Sequence, residues 1–403
     1  MLSEKALEKL LQPILDRQSA INTYVIDKIA ARVKEVGRLM PSDLYKLERL
    51  MKSGADVREI NAEIARLSGL NVIEIKNLIK TVAIDSYIDA KPFYDYRHKA
   101  FIPFNKNAEL QKVVKSIATQ TANSYVNLSR SRAFMLRDPQ NRKVLVPTPL
   151  SKAYYSVVDE AIQAAQSGTI DYNTAMRETL KQLTESGIRT VEYNPESGKL
   201  YTQSLEAAVK RNLLDGIRQI NQGVQDEVGK QYGADGKEIT VHEMSAPDHE
   251  PIQGHQFTNE EYEKLQSDEP FEDVDGEKFE PIARAIGEYN CRHFTYSIIL
   301  GVNKPNFTKE QLRENIARNH RGYTDPSGKH RTLYECTQEQ RRMEREIRQA
   351  KQTIVTGRAS GDAEMVAMGK ATLSRWQKDY TAFSSACGLT KKPLNVKVQG
   401  YPK

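Results

Sequence analysis

A mainly helical chain with one small α+β segment is the fold class that these 403 residues predict. Three observations carry the expectation. Apolar residues recur at helical spacing through most of the chain. Strand-like alternation is confined to residues 186–302. Four of the seven histidines and one of the three cysteines crowd between His242 and His293. The chain exceeds the size at which one hydrophobic core stops growing, so it divides into a helical N-terminal arm (1–90), a helical middle region (91–185), an α+β box domain (186–302) and a basic helical tail (303–403) that ends in a helical hairpin.

The elements follow in order. Leu7, Leu10, Leu11, Ile14 and Leu15 share one helical face, as do Ile21, Val25, Ile26, Ile29 and Val33. After Met40-Pro41, Ser42 caps a short helix carrying Leu44, Leu47, Leu50 and Met51. Gly54 ends it, Asp56 caps the next (Ile60, Ile64, Leu67), and Gly69-Leu70-Asn71 opens another through Ile79. The aromatic run from Phe93 to Phe104 is expected to anchor a loop onto a core or a partner rather than to stack on bases. A helix is expected from about Asn107 to Met135, a turn at 137–142, a linker or helix start at Pro147-Thr148-Pro149, and helices around Tyr154–Ile162 and Tyr172–Leu183. The runs 188–193 and 199–202 read as a β-hairpin around Asn194-Pro195-Glu196-Ser197-Gly198. Ser204 caps a long amphipathic helix that stops near Gly233. Strands at 238–242 and 294–300 bracket the histidine-rich boxes. In the tail, Gln311–His320 is helical, Thr337 and Gln340 form a capping box for a helix to Thr356, and 357–361 turns into a second helix ending near Ala386.

Charge is unevenly placed. The net charge of +6 hides thirteen acidic residues against two lysines between 243 and 280, and twenty basic against ten acidic residues from 304 onward. The basic side chains Arg341, Arg342, Arg345, Arg348 and Lys351 are the expected contacts for nucleic acid or an acidic partner. No apolar run is long enough to cross a bilayer, the start lacks a signal peptide's pattern, and three scattered cysteines make no disulfide framework. Assembly in a reducing cytoplasm is the expectation.

The chemistry is concentrated in two boxes, His242 to His255 and Arg284 to His293. Strand-box-loop-box-strand order brings His249, His255, Cys291 and His293 together as candidate metal ligands, since imidazole and thiolate suit tetrahedral Zn²⁺. The spacing also admits a metal-free polar knot, or catalysis in which Asp248, His249 and His293 act with a metal-activated water. Asp248, Gly254, Gly287 and Asn290 are expected to hold the boxes in shape. Asn315, Asn319, His320 and His330 resemble fragments of an HNH-like nuclease, against which their helical context and a missing strand pair argue. Phosphate-binding, dinucleotide, serine-hydrolase and zinc-protease motifs are all lacking, so the chain is read as a non-enzyme.

The run Met244-Ser-Ala-Pro-Asp-His-Glu-Pro-Ile-Gln-Gly254, followed by Arg284-Ala-Ile-Gly-Glu-Tyr-Asn-Cys-Arg-His293, resembles the phage minor capsid protein 2 family, akin to the wider Mu F-like head morphogenesis group. The specific part of the resemblance spans about residues 204–320. It implies a structural minor head protein, present at low copy inside the capsid near the portal, with room for several copies per virion. Its implied partners are the portal protein, the major capsid protein and packaged DNA, with no membrane, and its implied work is head assembly, packaging or DNA delivery. Some relatives carry Cys-x-x-Cys in the first box and Cys-Arg-Cys in the second. On that pattern His249, Cys291 and His293 stand at three ligand positions and Ala246 at the lost fourth, which His242 or His255 would replace. The rival readings are a metal-assisted hydrolase or nuclease delivered with the genome, and a plain nucleic-acid-binding protein.

Overall fold

Helix α1 (Glu4–Val36) runs through the middle of the molecule, because both apolar faces expected in this stretch belong to one continuous helix. Leu11, Ile14, Ile21, Val25, Ile26, Ile29 and Val33 are all buried along it. Pro13 lies inside and removes one helical hydrogen bond, but buried Leu11 and Ile14 hold the two sides in line. The computed structural model describes residues 4–38, 54–138, 140–141, 143–167, 172–194, 199–265, 270–272, 276, 278–280, 282, 285–287, 291 and 293–402. The helix expected over Leu44 to Met51 and the hairpin turn at 195–198 lie outside them.

Helix α2 (Ala55–Asp89) is one element where two were expected. Gly69 faces open space and costs about 1 kcal/mol of helix propensity, which is too little to break a helix buried on its other side. Asn71 does not compete for the backbone, because its amide is engaged elsewhere. It accepts from Arg17 at 3.1 Å and donates to the Tyr125 hydroxyl at 2.9 Å. The N-cap is Gly54 in the left-handed region, not Asp56. The Asp56 carboxylate instead takes two hydrogen bonds from Arg32 of α1 and one from Tyr154. A short helix α3 (Lys91–Tyr96) and the following loop supply the aromatic anchor. Tyr87 stacks on Phe101 at 4.6 Å, and Phe93 meets Tyr232 at 5.3 Å.

Asn107 caps helix α4 (Ala108–Arg130) by accepting from the Leu110 N–H. The helix stops short of the expected Met135, because Arg132–Arg137 forms strand β1. Strand β2 (Leu145–Pro149) pairs with it antiparallel, Met135 opposite Pro147, and its two prolines suit the sheet edge it occupies. Helices α5 (Leu150–Ser167) and α6 (Tyr172–Ser186) follow. The hairpin of β3 (Arg189–Asn194) and β4 (Lys199–Ser204) then completes a sheet of order β2-β1-β3-β4. Residues on either side of the expected boundary at 186 thus share one sheet.

Ser204 caps helix α7 (Leu205–Tyr232), accepting from the Ala207 N–H, and Gly233 ends it at φ 76°. Gly216 lets α7 close on α4, since a Cβ there would lie 2.5 Å from Thr121. A second sheet of order β6-β5-β9 packs against α7, built from β5 (Gly236–Ile239), β6 (Gln256–Thr258) and β9 (Thr295–Ile298). Helix α8 (Asn259–Leu265) and the strand pair β7 (Phe271–Glu272) and β8 (Lys278–Phe279) complete this lobe. It keeps a small core of its own: Ile239, Ile252, Phe257, Leu265 and Phe279.

Beyond it lie α9 (Lys309–Arg321), the pair β10 (Tyr323–Thr324) and β11 (His330–Arg331), and the hairpin of α10 (Leu333–Ser360) and α11 (Ala363–Ala386). The capping box of α10 is Thr332 with Glu335, one turn earlier than the expected Thr337. The helix continues through Gly357 to a left-handed Gly361. The hairpin closes back on α1: Thr23 donates to Gln352 at 3.1 Å in a buried contact, and Lys397 pairs with Asp16 at 2.6 Å. The N-terminal helix contributes its buried face to the main core. Among the described residues, no helix is long and apolar enough to cross a membrane.

Candidate metal centre

Backbone pairing assembles the site. Past the regular end of β5, Thr240 N–H donates to the Phe294 carbonyl and Phe294 N–H donates to the Thr240 hydroxyl. This ladder carries Cys291 and His293 to the end of β5, where His242 follows. The first box then coils as successive turns from residue 243 to 254. Gly254 closes the coil at φ 77°, its N–H donating to the Ile239 carbonyl. A Cβ there would sit 2.5 Å from Leu312 of α9, so only glycine fits. Gly287 is likewise left-handed, at φ 94°, and stands against the Arg218 guanidinium. Both box glycines are positions of backbone shape. Asn290, the other expected box residue of that loop, lies outside the described residues.

Three of the four expected ligands converge. His249 Nδ1 and His293 Nδ1 are 3.3 Å apart, and Cys291 Sγ lies 3.6 Å from each. All three side chains are buried, at 1%, 5% and 4% exposure for His249, Cys291 and His293. Asp248 stands behind His249, its carboxylate 3.7 Å from Nε2. Gln253 stands behind His293, its amide oxygen 3.4 Å from Nε2. That oxygen also accepts from the His242 N–H at 3.0 Å, which fixes the amide orientation. Burial opposes ionisation of the Cys291 thiol, but the neighbouring His249 and backbone contacts at Gly287 and His293 outweigh it and bring its pKa below the ordinary thiol value.

The fourth expected ligand, His255, is not brought in. Its ring stands at the head of β6 and packs edge-on against Phe279 at 5.3 Å, in the lobe's apolar core. His242 comes nearer, its ring centroid 4.6 Å from that of His293.

A neighbouring cluster escaped sequence reasoning. Glu250, also buried, accepts from the Asn319 amide and faces His320 Nε2 at 2.9 Å. Asn319 in turn accepts from the Tyr334 N–H, and His330 Nε2 meets the His320 carbonyl at 3.0 Å. Of the residues that suggest an HNH fragment, Asn319 and His320 thus clasp the first box to α9, and Asn319 reaches on to the start of α10. The strand pair expected to be missing is present as the two-residue β10–β11 ladder. Asn319 lies nearly seventy residues from Glu250, and no local pattern signals their meeting.

Three of the five basic residues expected as contacts in the tail are partly covered by neighbouring groups. Arg348 is held by the Asn395 carbonyl, and Lys351 donates to the Val396 carbonyl at 2.7 Å, its pKa lowered by burial. Arg342 pairs with Glu339 and lies over Trp376 at 5.0 Å. Arg341 and Arg345 are exposed, with Lys370, Arg375 and Lys378 of α11.

The family model described as phage minor capsid protein 2 matches residues 2–384, far beyond the stretch that first suggested the likeness. No curated protein and no solved structure matches.

Proposed function

Since the chain belongs to the phage minor capsid protein 2 family and is thereby a structural component of the virion, we propose that it is a minor head protein of a tailed phage, held inside the capsid at the portal vertex, where it assists head assembly, genome packaging or DNA delivery. The observation that carries this reading is the family match along nearly the whole chain. Two structural features support it. The hairpin α10–α11 exposes Arg341, Arg345, Lys370, Arg375 and Lys378, a basic outer surface that suits an acidic partner face or packaged DNA. The strands β2 and β4 leave Leu145, Leu200 and Tyr201 exposed at the two edges of the first sheet, where a neighbouring subunit can pair. The reading assigns the chain an architectural role and no catalytic step.

The test is co-production of the full chain with portal and major capsid proteins, followed by sizing and affinity capture. Capture with the portal, and heads that lack normal DNA content when the gene is deleted, are the expected results. Capture with neither protein, together with normal heads in the deletion, would overturn the assignment. Salt-dependent DNA binding as the sole interaction would favour the nucleic-acid-binding alternative.

A further inference from the structure

We infer that His249, Cys291 and His293 bind one Zn²⁺ through Nδ1, Sγ and Nδ1, with solvent at the fourth vertex, and that the ion staples the first box to the root of β9. The inference rests on side-chain geometry and does not depend on the portal reading.

Two independent features of the triangle carry it. The first is its size. Zn–N bonds of about 2.05 Å and a Zn–S bond of about 2.3 Å at tetrahedral angles put two nitrogens about 3.4 Å apart and nitrogen and sulfur about 3.6 Å apart. The observed edges are 3.3, 3.6 and 3.6 Å. The three donors thus form one face of a tetrahedron of the right dimensions.

The second is the proton arrangement. Gln253 Oε1 is fixed as an acceptor by the His242 N–H, so the His293 Nε2 that faces it carries a hydrogen. His249 Nε2 lies 3.7 Å from the Asp248 carboxylate, whose negative charge favours a proton on that outer nitrogen. Both rings then turn a bare Nδ1 lone pair inward, and the inward-facing atoms offer two lone pairs and one thiol proton. Carboxylate or carbonyl partners behind metal-bound histidines have this arrangement. On binding, the Cys291 proton leaves to solvent and a sulfur–zinc bond forms. The residual positive charge of Zn²⁺ with one thiolate is balanced by Asp248. His242 stays outside the group of three, whose ligand atoms all lie within 4.8 Å of one another, although its ring stands beside that of His293.

The experiment uses the full chain, stripped with a chelator and then titrated with Co²⁺ as a spectroscopic stand-in for zinc, beside elemental analysis of protein purified without stripping. One zinc per chain is expected, with a thiolate-to-cobalt charge-transfer band saturating at one equivalent. Cys291→Ser should abolish the band, His249→Gln should abolish stoichiometric zinc, and Asp248→Asn should weaken binding by about 10- to 100-fold. His255→Ala and His242→Ala should retain the metal. Absence of zinc and of a cobalt band in the unsubstituted chain would overturn the site without reliance on any variant. A band that survives Cys291→Ser would overturn the ligand set, and loss of metal in His242→Ala would overturn the three-ligand assignment.

Discussion

Asp27 lies half-buried on α1 with its Oδ1 lacking a hydrogen-bond partner among the described residues. Burial pushes its carboxyl from 3.8 up to about 6. A carboxyl that is harder to ionise in the folded state favours folding at low pH. That contribution is fully present below 3.8 and is lost as pH rises to about 6. Asp27→Asn should therefore raise stability at pH 7.5 by about 1–2 kcal/mol, allowing for partial exposure, and leave it unchanged near pH 3.5. Denaturant unfolding at both pH values is the measurement, and an equal gain at each would refute the assignment to ionisation. Gly254 makes the opposite kind of prediction. Gly254→Ala places a side chain at φ 77° against Leu312 and should cost about 2 kcal/mol or more, read as a lowered melting temperature. The residues that the sequence marks most plainly are of this type. His249, Cys291 and His293 stood out because such residues are scarce in the chain. His255 stood out equally and went elsewhere, because a count of residue types says nothing of which side of a strand a ring takes.

Elements were legible where the signal is local. Ser204, Asn107 and Gly233 act through bonds to residues within four positions, and the structure uses each where a cap or stop belongs. The failures arise where distant partners decide. Asn71 and Gly69 read as a helix opening until Arg17 and Tyr125 engage the amide. Residues 132–137 read as helix until β2 and β3 pair with them. The start of α10 is a narrower case, since two threonines each precede an acidic or amide residue by three positions. Thr332 has reciprocal bonds with Glu335, at 3.2 Å and 2.8 Å, while the Thr337 hydroxyl donates to the Tyr334 carbonyl inside the helix. Thr332→Ala should therefore cost about 1 kcal/mol, and Thr337→Ala should stay within about 0.5 kcal/mol of the parent. Thermal unfolding of the two variants side by side would reverse the cap assignment if the order came out the other way.

The whole molecule is held by ties between segments far apart in the chain. Residues 393–402 lie across the hairpin and α1: Asn395 donates to Glu344 and accepts from Lys210, Lys397 pairs with Asp16, and the Gln399 N–H reaches Ser19. Deleting residues 393–403 should lower the melting temperature and speed proteolysis of α10 while leaving the β6-β5-β9 lobe, with its separate core, folded. Hydrogen exchange resolved by peptide would show whether loss of protection stops at that lobe. None of this closure could be read from sequence, because a basic tail looks the same whether its arginines face solvent or backbone carbonyls.

The bond from Thr23 to Gln352 joins residues 329 positions apart. A chain made at roughly 5–20 residues per second needs on the order of half a minute between emitting the first partner and the second. Throughout that interval the side of α1 that α10 will cover has no covering. A nascent or interrupted copy therefore carries α1 without the cover that α10 gives it in the finished chain.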